Sequence, residues 1–215
     1  MFKNTKKLGK AAKESRAIQE NSALTEQIRM IHFNLQHTLL EDGGCLMVTS
    51  TEREKHLSVI SSQLAEAFAE EGFKVLLADV NVSHPTLHTY YNIECNSGLV
   101  NALLYGDCVL QHITETEIMN LSILPAGWIS NKPAGLWKAS HVKRVVESCK
   151  EEFDIVIYNA PPLLNTADSQ ILLKYCDGVI AVAAANATKK DHLIQLKEVV
   201  FRADNRLNGV ILKTR

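Results

Sequence analysis

The sequence predicts an α/β fold in which a doubly wound, mostly parallel sheet lies between two layers of helices. Three observations predict it. Short apolar runs suited to strands alternate with amphipathic stretches along most of the chain. The first unit, "CLMVTS", "HLSVISSQLAEAFAEEG" and "KVLLADV", sets strand, helix and strand within about 30 residues, the length of a βαβ crossover. The apolar runs are continuous rather than alternating, as strands covered on both faces require.

Each element follows from its own residues. In "SALTEQIRMIHFNLQHTLLEDGG", Leu24, Ile28, Ile31, Leu35 and Leu39 recur at helical spacing, and Asp42, Gly43 and Gly44 stop the helix. Cys45 to Ser50 is the first strand, the helix after it ends at Gly72, and a second strand starts at Lys74. "LSIL", "FDIVIYNAPP", "GVIAVAAA" and "NGVILK" read as further strands, separated by helices over about 134–151, 167–176 and 189–203. Residues 21–215 are expected to form one domain, preceded by a basic arm over residues 1–20.

Composition narrows the function classes. A chain of 215 residues with 46% hydrophobic and 22% charged residues is an ordinary globular protein, and its net charge of -1 argues against a nucleic-acid partner. The charge is uneven, with Lys3, Lys6, Lys7, Lys10, Lys13 and Arg16 set against Glu14. That arm is either a contact for anionic lipid or a solvated terminus. No apolar run approaches the roughly 20 residues of a membrane span, and no signal-peptide core is visible, so a cytoplasmic location is expected. Cys45, Cys95, Cys108, Cys149 and Cys176 lack metal-ligand spacing and read as reduced thiols. No metal site is expected.

Ligands of such folds bind outside the C-terminal ends of the strands. Those ends are Ser50 to Ser58, Asp79 to Pro85, Asn159 to Pro162, Ala184 to Thr188, and Lys213 onward. Together with "LTEQIRMIHFNLQ", "SGLVNALLYGD" and "LSILPAG", these segments resemble, in order and spacing, the bacterial tyrosine kinases of capsule and exopolysaccharide systems. Those kinases are P-loop NTPase-like proteins related to the ParA and MinD ATPases, with a three-layer α/β/α fold. The resemblance spans roughly Leu24 to Lys213.

The same comparison shows where this chain departs. The family's phosphate loop, S-x-x-P-G-x-G-K-[ST], laid on Ser50 puts its proline on Arg53, its glycines on Glu54 and His56, its lysine on Leu57 and its hydroxyl on Ser58. Glycine lets consecutive N–H groups curl around phosphates, and lysine reaches the β and γ oxygens. Glu54 brings a Cβ and a negative charge, and Leu57 no charge at all. The family's Asp-x-Asp, tied to Mg²⁺ and to activation of the tyrosine hydroxyl, reads Asp79-Val80-Asn81, and its later Asp-x-Pro-Pro has Asn159 in place of the aspartate. The family's arginine after the next strand falls on Ala184 and its base-proximal asparagine on Lys213. Tyr90, Tyr91, Tyr105, Tyr158 and Tyr175 form no tyrosine cluster of the kind that the family autophosphorylates.

The resemblance therefore implies a fold whose catalytic residues are not intact, with Leu57, Asn81 and Asn159 at the family's Lys, Asp and Asp positions. It points to a regulatory or scaffold protein in polysaccharide synthesis and export. The implied partners are a membrane-spanning chain-length adaptor, an active kinase paralogue and further copies of the chain. The implied place is the inner face of the membrane, reached through the adaptor. The alternative is an active tyrosine kinase or ATPase that holds ATP and Mg²⁺ through Lys55, Ser58 and Asp79. A positioning ATPase of the ParA/MinD type is disfavoured because its signature lysine falls on Glu52. The family's ring-assembly motif E-x-x-R-x-x-R reads Glu26, Arg29 and His32, either an oligomer interface or an ordinary surface pair. A histidine is cationic below about 6.5, so an assembly that used His32 would weaken as pH rises.

Overall fold

The computed structural model describes residues 22–39, 44–128 and 135–213, with side chains of the first helix placed from Glu26 to Leu35. The basic arm, the Asp42–Gly43 stop and the side chains of Leu24 and Leu39 lie outside the described residues.

Seven strands form one sheet in the order β3-β4-β2-β5-β1-β6-β7. They are β1 (Gly44–Ser50), β2 (Val75–Asp79), β3 (Thr114–Glu115), β4 (Leu121–Leu124), β5 (Ile155–Asn159), β6 (Gly178–Ala184) and β7 (Leu207–Lys213). All pair in parallel except the two-residue β3, which runs antiparallel to β4 at one edge. The helices are α1 (Ser22–Leu39), α2 (Leu57–Glu70), α3 (Leu87–Tyr90), α4 (Leu99–Tyr105), α5 (Ala139–Glu152), α6 (Ala167–Leu173) and α7 (Lys190–Arg202).

Alternate strand residues serve opposite faces, which is why the strands read as unbroken apolar runs. Cys45 and Met47 of β1, with Leu76, Ala78, Val156 and Tyr158, face α4 to α7. Leu46 and Val48, with Leu77, Ile155, Ile157 and Ile180, face α1 to α3. Both faces are buried, so the domain has three layers, as the alternation predicts. The edge strand β7 is the exception, with Val210 and Leu212 left 44% and 58% exposed.

Periodicity alone did not show α3, α4, a 3-10 turn at Val109–His112, or β3. Each is too short to express a period. The α4 segment is set instead by close packing of its start. Gly98 donates its N–H to Asn101 Oδ1 at 2.9 Å, and a Cβ there would lie 2.1 Å from the Pro125 carbonyl oxygen. Gly106, at φ +75, ends the helix in the left-handed region that glycine tolerates. The expected helix from about 134 begins at Ala139 because Gly135 to Trp137 form a turn that buries Leu136 and Trp137.

Candidate functional site

The register of the central strands builds the site. Asp79, last in β2, lies opposite Asn159, last in β5, and Asn159 lies opposite Val48 of β1. The loop from Thr51 to His56 leaves β1 beside this pair and enters α2, while Lys213 closes β7 on the far side.

Asp79 is fully buried. Its Oδ2 accepts the Thr86 and Leu87 N–H groups at 2.8 and 3.0 Å, and its Oδ1 accepts the Asn81 N–H at 3.1 Å and Asn159 Nδ2 at 3.4 Å. An ionised carboxylate has about four lone-pair sites, so four donors use its capacity. Burial raises the Asp79 carboxyl above the ordinary 3.8, against the lowering effect of those same donors.

Asn159 joins the network through both ends of its amide. Its Oδ1 accepts Ser61 Oγ at 3.1 Å, and its Nδ2 also donates to Ser58 Oγ at 3.3 Å. Ser58 in turn hydrogen-bonds the Thr86 hydroxyl. An aspartate at 159 would set two carboxylates about as close as this amide and Asp79, an arrangement that needs a cation or a shared proton. Asn159→Asp is therefore expected to lower stability by about 2–3 kcal/mol at neutral pH and to recover part of it on acidification. Chemical denaturation across pH measures this.

The loop is closed by its own acid. The Glu54 Oε1 accepts the His56 N–H at 3.1 Å and lies 3.3 Å from Lys213 Nζ, with 15% of its side chain exposed. His56 Nδ1 lies against both Lys213 Nζ and, at 3.1 Å, Glu54 Oε1, so it accepts from the ammonium in one tautomer and donates to the carboxylate in the other. Burial raises the Glu54 carboxyl, but hydrogen bonds from His56 and the Lys213 charge outweigh it and leave the pKa below the ordinary 4.5. A second strap joins Glu52 Oε1 to His192 Nδ1 of α7 at 2.7 Å.

The residues singled out from sequence divide into three groups. Ser58, Asp79 and Asn159 meet in the strand-end network. Leu57 is 6% exposed and packs in the core under α2, while Lys55 is exposed and Asn81 is half-buried and contributes its backbone N–H. Glu26 and Arg29 are exposed, with Arg29 Nη2 3.7 Å from Glu70 Oε2. His32 is not beside them on the surface. It is 3% exposed, with its ring edge-on to Phe68 at 4.2 Å and Nδ1 3.5 Å from Glu71 Oε1. Three-residue steps on an α-helix drift by about 60° each, which carries His32 round to the buried side.

Burial lowers the His32 pKa below 6.5, with Glu71 opposing. The folded state therefore prefers the neutral ring, and stability is lost as pH falls below 6.5 toward the lowered value. Thermal melts between pH 7 and pH 5 are expected to show this loss in the native chain and a shallower one in His32→Leu.

The Glu54–Lys213 contact is the feature of the candidate site that sequence reasoning missed. Its signal was a charge exchange, an acid at a family glycine and a base at a family asparagine.

The likenesses to known proteins agree with this fold. A family described as "AAA domain" matches residues 57–212. The tyrosine-protein kinase YwqD of Bacillus subtilis (strain 168) is 31% identical over 189 residues, covering 87% of this chain and 80% of that one. The chain belongs to the bacterial tyrosine kinase family. Among solved structures, the chimerical protein CapA2B2 shares 27% identity with this family member at a TM-score of 0.83, covering 93% of this chain and 89% of that one. The cell division ATPase MinD of Pyrococcus furiosus, 18% identical over 79% of this chain and 71% of its own, gives a TM-score of 0.68 and shows the shared P-loop NTPase fold.

Proposed function

We propose that this chain is a catalytically impaired bacterial tyrosine kinase homologue that serves as a regulatory or scaffold protein in capsular or extracellular polysaccharide synthesis and export. The observation that carries the reading is the saturation of Asp79 by four protein donors. A hard dication needs free oxygen ligands, and the neighbouring positions offer an engaged amide at Asn159 and an engaged hydroxyl at Ser58. The residues present do not fit Mg²⁺-ATP. Glu54 sets a carboxylate in the loop where the family binds phosphate, and Leu57 lies in the core instead of reaching an oxygen. The alternative set of nucleotide contacts keeps only the exposed Lys55 unengaged by this network, since Ser58 and Asp79 are held within it.

The intact three-layer fold leaves a surface for partners. The name of the chimerical CapA2B2 carries a CapA part and a CapB part, which supports a membrane-spanning adaptor as the partner of this chain. No helix among the described residues is long and apolar enough to cross a membrane. Under this reading, attachment to the membrane's inner face runs through that adaptor. An active kinase paralogue and a second copy of the chain are further partners under this reading.

Incubation of purified protein with Mg-ATP, followed by phosphotyrosine detection, tests it. No phosphotyrosine is expected. A clear autophosphorylation signal that Asp79→Ala abolishes would overturn it.

A further inference from the structure

The second feature of the strand ends is the way the loop is held. One oxygen, Glu54 Oε1, gathers the His56 N–H and the His56 ring Nδ1, each at 3.1 Å, and the Lys213 ammonium at 3.3 Å. The N–H comes from the turn that opens α2, a 14-residue helix, and the ammonium from the end of β7. A backbone N–H at a helix start together with a converging cation is the donor set of an oxyanion site. Here a group is already bound in it, and that group belongs to the chain.

The partners of Lys213 show what Glu54 does there. Without Glu54, the ammonium would keep, among the described residues, its contact with His56 Nδ1 and no acid, and it is two-thirds buried, with 33% of its side chain exposed. An underpaired, largely buried ammonium is costly, so the site calls for an anion. The contact also joins segments 159 residues apart in sequence.

We infer that the loop is an oxyanion site filled in cis by the Glu54 carboxylate, which orders the loop and fastens it to β7 as a bound phosphate would. The inference rests on the reading that this chain does not turn over nucleotide. It adds that the loop and the adjoining end of β7 are presented to a partner constitutively, with no nucleotide needed to order them. The ligand class of the vacated site is a small oxyanion. A triphosphate gains nothing further there, because Leu57 and Asp79 offer its outer phosphates and their Mg²⁺ no contacts.

Hydrogen exchange of residues 51–57 is the readout, with millimolar inorganic phosphate as the probe and chloride at matched ionic strength as control. The native loop is expected to be protected and indifferent to phosphate. In Glu54→Ala, exchange should rise about tenfold, the loss of one charge-assisted hydrogen bond, and phosphate should restore protection. Glu54→Ala/Lys213→Ala should not be restored. Failure of phosphate to protect a folded Glu54→Ala overturns the inference, as does equal protection of the double variant. Should Glu54→Ala not fold, Glu54→Gln keeps an acceptor for the His56 N–H and loses only the charge. Loop protection in Glu54→Gln equal to the native chain would also overturn it. Mg-ATP turnover by the native chain would instead end the functional reading, leaving phosphate rescue of the variant as a separate result.

Discussion

Asp79→Ala is expected to lower the unfolding free energy by about 3–5 kcal/mol, the cost of leaving several buried donors unpaired at once. The substitution strands the N–H groups of Asn81, Thr86 and Leu87 and frees one donor of the Asn159 amide. Denaturant unfolding, with the midpoint and slope both recorded, measures the loss. A carboxylate kept free for metal would give a different outcome, a weak effect on stability. The pH dependence carries a sign as well. Because burial raises the Asp79 carboxyl, the pH-linked part of its contribution is fully present below 3.8 and is lost as pH rises through the raised value, while its four hydrogen bonds remain. Asp79→Ala should lack that alkaline-going loss. Glu54 has the opposite sense: its lowered pKa gives stability present above 4.5 and lost as pH falls through the lowered value.

Leu57→Lys, which restores the family's lysine, is expected to cost about 2–4 kcal/mol and to bring no affinity for Mg-ATP. Leu57 is 6% exposed and belongs to the cluster that contains Ile60, Leu64 and Leu87. Its replacement removes buried apolar surface and sets an ammonium at the edge of a core. Glu54 would still occupy the loop and Asp79 would still be saturated. Thermal denaturation with and without Mg-ATP reads both halves of the expectation. A stabilising shift on adding nucleotide to this single variant would contradict the account, since binding to the folded state raises apparent stability.

Much of this was legible in the sequence, for physical reasons that also mark where reading stops. The central strands announced themselves because burial on both faces leaves no polar positions in them, and βαβ spacing then fixed a parallel sheet. Family membership followed from motifs spread along the chain in order. Short elements such as α4 and β3 carry no period, and the start of α4 is fixed by the Gly98 backbone packing on Pro125, a contact across 27 positions that periodicity does not report. The substitutions at Glu54, Asn159 and Lys213 were each visible as departures from the family pattern. Their meaning was not, because the pairing of Asn159 with Asp79 depends on the register of β5 beside β2, and that of Lys213 with Glu54 on where β7 ends. His32 shows the same limit on one helix. A three-residue repeat places it near Glu26 and Arg29 in the sequence, yet the drift of the helix puts it against Phe68.

The central claim is that protein groups, rather than a nucleotide and its metal, fill the strand-end site. Calorimetric titration of the native chain with Mg-ATP tests it most directly. No heat of binding is predicted up to millimolar nucleotide, a limit of about -4 kcal/mol in affinity. A micromolar dissociation constant, dependent on Mg²⁺ and lost in Asp79→Ala that remains folded, would contradict it.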